Sequence, residues 1–578
     1  MNRQEIIAVV LLFAALMGWM FYFGQPTVPE PAEPGMEEAV VEYPAVRPEL
    51  LEADDDIDVP DEVAAAAPVD PVAELPPEQI WRLGNDLLEV NVSSRGGAVT
   101  RVVLSEFYNM PDQQGGAVEF DFSDAAALAI TDWPQFGDKA HFSLVEHDPS
   151  GGRLLLERNS GAVTLRRELI LNGYSIALHD VFNNNSTGTV ALAQHGIKLG
   201  YMPSIQSGAG GMGAINYLSA DSQPVAAGRK TRHYSKRVAS LFGASSGFMN
   251  CGAVNPAGLP LDISHNVDEP VRWVSAKNKF FAQVLRPEEP GRGYRVNARR
   301  ADDQQVFFVE QVGALIKMDA AALAAGEELA REYLYYVGPK EYSRLRAFPD
   351  NLANVMEFGF FGPLCRLLLP ALNFFYSLVR NYGVAIILLT IVVRVIFWPV
   401  TRKSTESMKK MAEIQPEVQK LREKYKKDPQ QMNQAVMLLY RERGVNPLAG
   451  CLPMVIQIPV FIALFTVLRS AVELRFAPFL WISDLSEPEG LLEGMIPLAG
   501  SLNILPLFMT ATMVWQQKLT PTAGDPQQQK MMMIMPVVML FIFYNMPSAL
   551  VLYWSTSQCL SIAQLLLQQR KQKAAGKA

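Results

Sequence analysis

Histidine is scarce in this chain of 578 residues, and poorly placed for chemistry. All six histidines (His141, His147, His179, His195, His233 and His265) fall in one polar stretch, far from the apolar C-terminal half. Cysteine is rarer still: Cys251, Cys365, Cys451 and Cys559 show no metal-ligand spacing. The last three lie in apolar runs, where a buried thiol acts as a small hydrophobe, so no structural disulfide is expected. No Asp or Glu lies inside the apolar runs beyond residue 383, which removes the usual proton relays and leaves any serine there without an acid–base partner. A G-x-x-x-x-G-K-[ST] phosphate loop is absent, and "GAGGMG" (Gly208–Gly213) lacks the strand–helix context of a dinucleotide site. We therefore expect no catalytic residue, no metal and no cofactor, and do not expect an enzyme.

Charge is abundant but segregated. Residues 24–80 hold sixteen Asp or Glu against Arg47 alone, so a net charge of −8 hides a remainder of +7. The same segment carries eleven prolines and few large apolar groups, a composition that cannot offset ordering entropy and reads as a disordered tether. Before it, Arg3 precedes an apolar run, Ile6 to Phe23, with no A-x-A-like cleavage site, which predicts an uncleaved signal anchor over 1–23. Residues 81–343 read as a large β-sandwich, from short alternating runs such as "VTLRRELIL" and "YLYYV" broken by Gly, Asn and Pro. Residues 344–382, interrupted by Glu357, Gly-Pro and Arg366, read as an amphipathic helix lying in a membrane interface.

Five further apolar spans follow, at 383–400, 448–468, 496–514, 531–546 and 548–567, within a region 383–568 that ends in a basic tail, 569–578. Loop 401–447 has eleven Lys or Arg against six acids, whereas loop 470–494 has one Arg and five acids. The positive-inside rule then puts loop 401–447 and both termini in the cytoplasm and the β region on the far side. Within the loop, Met411, Ile414, Val418, Leu421 and Tyr425 form one apolar stripe, and Asp428-Pro429 starts a second helix, so a helical hairpin is expected.

One residue breaks the pattern of the spans. Arg394 interrupts "AIILLTIVVRVIFWPV", where a central arginine costs roughly 2.5–3.5 kcal/mol and usually faces protein or water. Snorkelling to the cytoplasmic surface is the plain alternative. Other spans carry Gln457, Ser501, Asn503 and "YWSTSQ" (Tyr553–Gln558), which suits a wet cavity, although polar groups also simply hold helices together.

At "VVRVIFWPVT", "NPLAGCLPMVIQIPVFIALF", "ELRFAPFLWISDLS", "DPQQQKMMMIMPV" and "PSALVLYW" the chain resembles the YidC family, the bacterial branch of the membrane-protein insertases shared with mitochondria and chloroplasts. The resemblance is dense over 350–568 and implies a six-span helical protein: five core spans around a hydrophilic groove, plus a periplasmic β-supersandwich as in Gram-negative bacteria. It implies Arg394, Gln457, Gln517 and Trp554 in the groove, and Met454, Pro459 and Phe461 on a slide for the incoming helix. It also implies nascent membrane proteins, the SecYEG translocon, the ribosome and signal recognition pathway, and membrane lipids as partners. The function expected is insertion and chaperoning of inner-membrane proteins. A small-anion transporter using Arg394, or a periplasmic carbohydrate-binding or enzymatic module on an anchor, remain open as alternatives.

Overall fold

The computed structural model describes residues 76–111, 115–205, 217–234, 242, 259–302, 309–426, 428–445, 452–491, 501–520 and 526–575. The side chains of 429, 452–456, 526–532 and 571–575 are outside that description, as are the segments expected to be the anchor (1–23) and most of the tether (24–80).

Between Ile80 and Pro339 the described chain is built of β-strands. Its largest sheet has nine antiparallel strands; at its centre Glu328–Pro339 pairs with Ser175–Asn184, which pairs with Val163–Asn172. Strict alternation drives this pairing. Along Ser175–Asn184 every second residue (Ile176, Leu178, Asp180, Phe182, Asn184) points inward and is buried. One inward position is an acid, and its neighbour strand answers it. Arg167, fully buried, grips Asp180 through two bonds of 2.7 and 2.8 Å and gives its remaining Nη1 to the Gly96, Gly97 and Leu128 carbonyls. A buried guanidinium is tolerable only when its donors are satisfied in this way. A six-stranded sheet including Gly293–Arg300 and Val309–Met318 and a four-stranded sheet opening at Ile80–Gly84 complete the main layers.

Helices replace strands after Tyr342. A 3-10 turn, Leu352–Met356, leads to α1 (Gly362–Val379), then α2 (Tyr382–Glu413), α3 (Gln415–Lys424), α4 (Pro429–Glu442), α5 (Leu452–Ser470), α6 (Ile504–Leu519), α7 (Pro526–Phe543) and α8 (Ser548–Ala575). Helices α1, α2 and α8 are long and apolar enough to cross a membrane, while α5 and α7 present shorter apolar stretches, Gln457–Ser470 and Met533–Phe543. The expected interfacial helix thus corresponds to an 18-residue apolar helix whose Leu367, Phe374 and Leu378 are exposed. Helix α8 lies against α2, α5 and α6, and α7 packs along α6. Outward faces are apolar on α2, α6 and α7: Val395 and Ile396, Leu507 and Phe508, and Val537 and Phe541 are all exposed. In water such a surface would aggregate; in lipid it is the solvated face.

The helical hairpin is arranged differently from its sequence stripe. Met411 belongs to α2, which runs unbroken past the apolar span, and Ile414 is the hinge. Pro416 imposes the break: in a continuous helix it has no N–H to donate, and its ring would meet a carbonyl of the preceding turn. Met411 and Ile414 instead form a small separate core with Val445 and Tyr440. Across the hairpin, Val418 is buried and Arg443 pairs with Glu417 at 2.7 Å, while Leu421 and Tyr425 are half-buried. Asp428 caps α4, accepting from Gln430 and Gln431 N–H at 3.0 Å.

Buried apolar residues make one connected core from Trp81 in the β region to Tyr553 in α8, passing through Leu352, Val355 and Cys365. The β region and the helical region are therefore packed together along this route.

Candidate substrate groove

Arg394 does have a partner, and it is neutral. Its Nε donates to the Ser557 hydroxyl at 2.9 Å; its Nη2 donates to the same hydroxyl at 2.6 Å and to the Ser557 carbonyl at 2.9 Å. Among the described residues no carboxylate pairs with it, and the side chain is only partly buried. Seven residues on in both helices, Gln564 Nε2 reaches the Thr401 hydroxyl at 3.5 Å. Equal spacing in the same direction means that α2 and α8 run parallel, joined by two polar rungs.

The polar side of α8 follows helical periodicity: Tyr553, Ser557, Ser561 and Gln564 recur at intervals of four, four and three. The Tyr553 hydroxyl accepts from Gln457 of α5, and the Ser561 hydroxyl donates to the Ser557 carbonyl at 3.0 Å. These contacts line the inner faces of α2, α5 and α8 with hydroxyls, amides and one uncompensated positive charge.

The other expected site residues take different positions. Trp554 lies beside that polar row, one residue round the helix, and packs edge-on against Phe461 at 5.0 Å and against Phe543 at 5.3 Å. Its indole N–H is buried and without a hydrogen-bond partner. Phe461 thus joins α5, α7 and α8 in an aromatic cluster, with Pro459 half-buried just before it on α5. Gln517 is half-buried near the C-terminal end of α6, and the Met454 side chain is outside the described residues. Sequence reasoning missed Ser557 and Tyr553 as the partners of Arg394 and Gln457. The four-residue spacing of α8 hydroxyls was the available signal.

Two family patterns match the chain: that of the 60Kd inner membrane protein over residues 374–575, and that of the YidC periplasmic domain over residues 255–370. The membrane protein insertase YidC of Oleidesulfovibrio alaskensis is 31% identical over 589 residues, an alignment spanning 97% of this chain and 98% of that one. The chain belongs to the YidC family of membrane protein insertases. The YidC of Syntrophobacter fumaroxidans is 46% identical over 297 residues, about half of either chain (51% and 53%). A crystal structure of an active YidC insertase with its first transmembrane domain resolved aligns over 84% of this chain and 91% of its own, at 19% identity and a TM-score of 0.33. Proteins of this family insert membrane proteins and are not enzymes, and the β region falls to the periplasmic side of an inner membrane.

The insertase also contains a second, buried polar centre where the periplasmic region meets the helices. Lys277 Nζ lies 3.0 Å from Asp221 and 3.1 Å from Glu357 and donates to the Val355 carbonyl at 2.9 Å. His233, Ser219 and Ser275 complete the shell of Asp221 at 2.8–2.9 Å. Asp221, His233 and Glu357 could present three metal-ligand atoms within 4.8 Å of one another, but the Lys277 ammonium bridges both carboxylates and supplies the cation. Burial alone would raise the Asp221 carboxyl; Lys277 and His233 outweigh it and hold it well below the usual carboxylate range. Nearby Lys340, buried and beside Lys277, is pushed down to about 7.

A second tie lies close by. Lys279 pairs with Glu487 and donates to the Ser486 carbonyl at 3.0 Å. The Glu487 carbonyl in turn accepts from the Ser548 N–H and hydroxyl at 2.8 Å, at the start of α8. The periplasmic region is thereby connected to α8, the helix whose Ser557 accepts from Arg394. Neither lysine was singled out by sequence reading.

Proposed function

We propose that this insertase works through the polar face shared by α2, α5 and α8, with Arg394 attracting the short polar tail of a nascent membrane protein while its apolar segment passes beside Phe461 into lipid. The observation that carries the reading is the charge balance of Arg394: its partner is a serine, so its positive charge is left uncompensated for an acidic group to meet. Hydroxyl and amide groups would replace part of the water a tail must shed, splitting one desolvation barrier into smaller steps. Burial of the substrate's apolar segment supplies the driving free energy without nucleotide.

Six spans with both termini cytoplasmic remain our reading of the topology. The parallel course of α2 and α8 supports it, because both then end on the basic, cytoplasmic side. We assign residues 401–447 to substrate reception and take SecYEG, the ribosome and the signal recognition pathway as partners; the excess of Lys and Arg in that loop suits an anionic ribosomal surface. Reconstitution of the pure protein with a single-spanning substrate tests the groove. Arg394→Glu should stop an acidic-tailed substrate and Arg394→Lys should pass it; wild-type insertion by the Glu variant would refute the reading.

A further inference from the structure

The loop between α5 and α6 closes a two-residue turn whose tip is apolar. Phe479 and Ile482 exchange both backbone hydrogen bonds at 2.9 Å, leaving Leu480 and Trp481 at the tip, 75% and 48% exposed. Leu480 has φ 54°, at the first tip position, where glycine is the favoured residue. A leucine held there costs on the order of 1–3 kcal/mol, which persists only where surrounding structure enforces it.

That enforcement is visible on two sides. Asn381, which caps α2 by accepting from Val384 N–H at 3.0 Å, donates to the Pro478 carbonyl at 3.3 Å. The Phe479 ring occupies the space a side chain at Gly383 would need. On the other side Trp481 lies beside Glu489, whose carboxylate caps α6 by accepting from Ile504 and Leu505 N–H. The turn is a rigid projection from the starts of α2 and α6, and it carries its exposed side chains at a backbone cost.

We propose that Leu480 and Trp481 form a wedge seated in the headgroup–acyl boundary of the periplasmic leaflet. The occupant is lipid for three reasons. The turn is tied to the α1–α2 turn through Asn381 and the Pro478 carbonyl, and the last turns of α1 expose Phe374 and Leu378. An exposed indole, with an apolar ring and a polar N–H, is suited to that boundary. Exposed Arg380, next to Asn381, supplies positive charge at the level of lipid phosphates. The wedge would set the depth of α2 and α6 in the bilayer. This inference stands on the protein's residence in a membrane and not on the groove, so its failure leaves the insertion reading untouched.

Trp481→Phe keeps the apolar ring in an otherwise native chain reconstituted in phosphatidylethanolamine–phosphatidylglycerol vesicles. Subtracting the variant's emission from that of the parent isolates Trp481. We expect this difference signal to be quenched by lipids brominated near the headgroup and to be insensitive to iodide. A second probe replaces the four native cysteines with alanine and places an environment-sensitive dye at Leu480→Cys, with Ser150→Cys as the aqueous reference; insertion activity reports whether the variant folds. Blue-shifted emission at 480, quenched by a shallow nitroxide lipid, supports the wedge. Iodide quenching equal to that at 150, or a difference signal quenched by neither agent, overturns it.

Discussion

If the Arg394 charge is the element that draws a substrate tail inward, its removal must matter in proportion to the tail's own charge. A guanidinium and a carboxylate about 4 Å apart attract by ~1 kcal/mol in bulk water and ~4 kcal/mol at the effective dielectric of a protein surface. Arg394 is partly buried beside hydroxyls, so a coupling of roughly 2–3 kcal/mol is expected, or about 30–150-fold in occupancy. The resident bonds to Ser557 do not prevent this, because a serine offers no opposing charge and its carbonyl contact can persist beside a carboxylate. The assay is a double-mutant cycle in proteoliposomes: parent and Arg394→Ala, each with a single-spanning substrate whose tail carries Asp or the matching Asn. Arg394→Ala should slow the acidic tail about 30-fold and the neutral tail less than about fivefold. Equal losses for both tails would make the arginine structural and refute the mechanism. Ser557→Ala, which loosens the neutral partner but keeps the charge, should leave acidic-tail insertion at or above the parent rate.

Further outcomes concern the buried acids and the turn at α2. Lys277→Ala leaves the buried Asp221 without its cation, so a loss of about 3–5 kcal/mol is expected, read as a lowered thermal midpoint in detergent. In the parent, the depressed Asp221 pKa contributes stability that is complete above the ordinary carboxylate range and is lost as pH falls through the folded value. Glu473, in the loop after α5, behaves oppositely: burial pushes its carboxyl up to about 7, and neither oxygen has a hydrogen-bond partner. Its folded pKa is raised, so its contribution is complete below the unfolded value and is lost as pH rises through about 7. Glu473→Gln should therefore raise the thermal midpoint at pH 8 by the equivalent of a few (~3) kcal/mol at most and change little at pH 4; a uniform shift at both pH values would contradict the assignment. Gly383→Ala should distort the α1–α2 turn, since its side chain would meet the Phe479 ring, and limited proteolysis near Pro478 should report the disturbance.

Much of this protein can be read from one dimension of pattern. Alternation along "VTLRRELIL" implies a strand with one buried face, because side chains on a strand alternate regardless of what covers them. Long apolar runs imply lipid, since backbone and side chains within a bilayer have no water to turn to. An arginine inside such a run is anomalous without any coordinates at all. Even so, the stripe through Met411 and Ile414 was legible while its division between α2 and α3 was not: spacing shows a common face, and the break at Pro416 decides which helix owns it.

What the tertiary structure alone decided are the pairings between residues distant in the chain. Arg394 and Ser557 are 163 positions apart, and Lys279 and Glu487 are 208 apart. No local propensity encodes such contacts; they exist because α8 packs along α2 and because the periplasmic region docks onto the start of α8. Composition could show that a charge was buried and unpaired by any nearby acid. Only the fold could show that its partner is a serine, and that its charge therefore remains free to act.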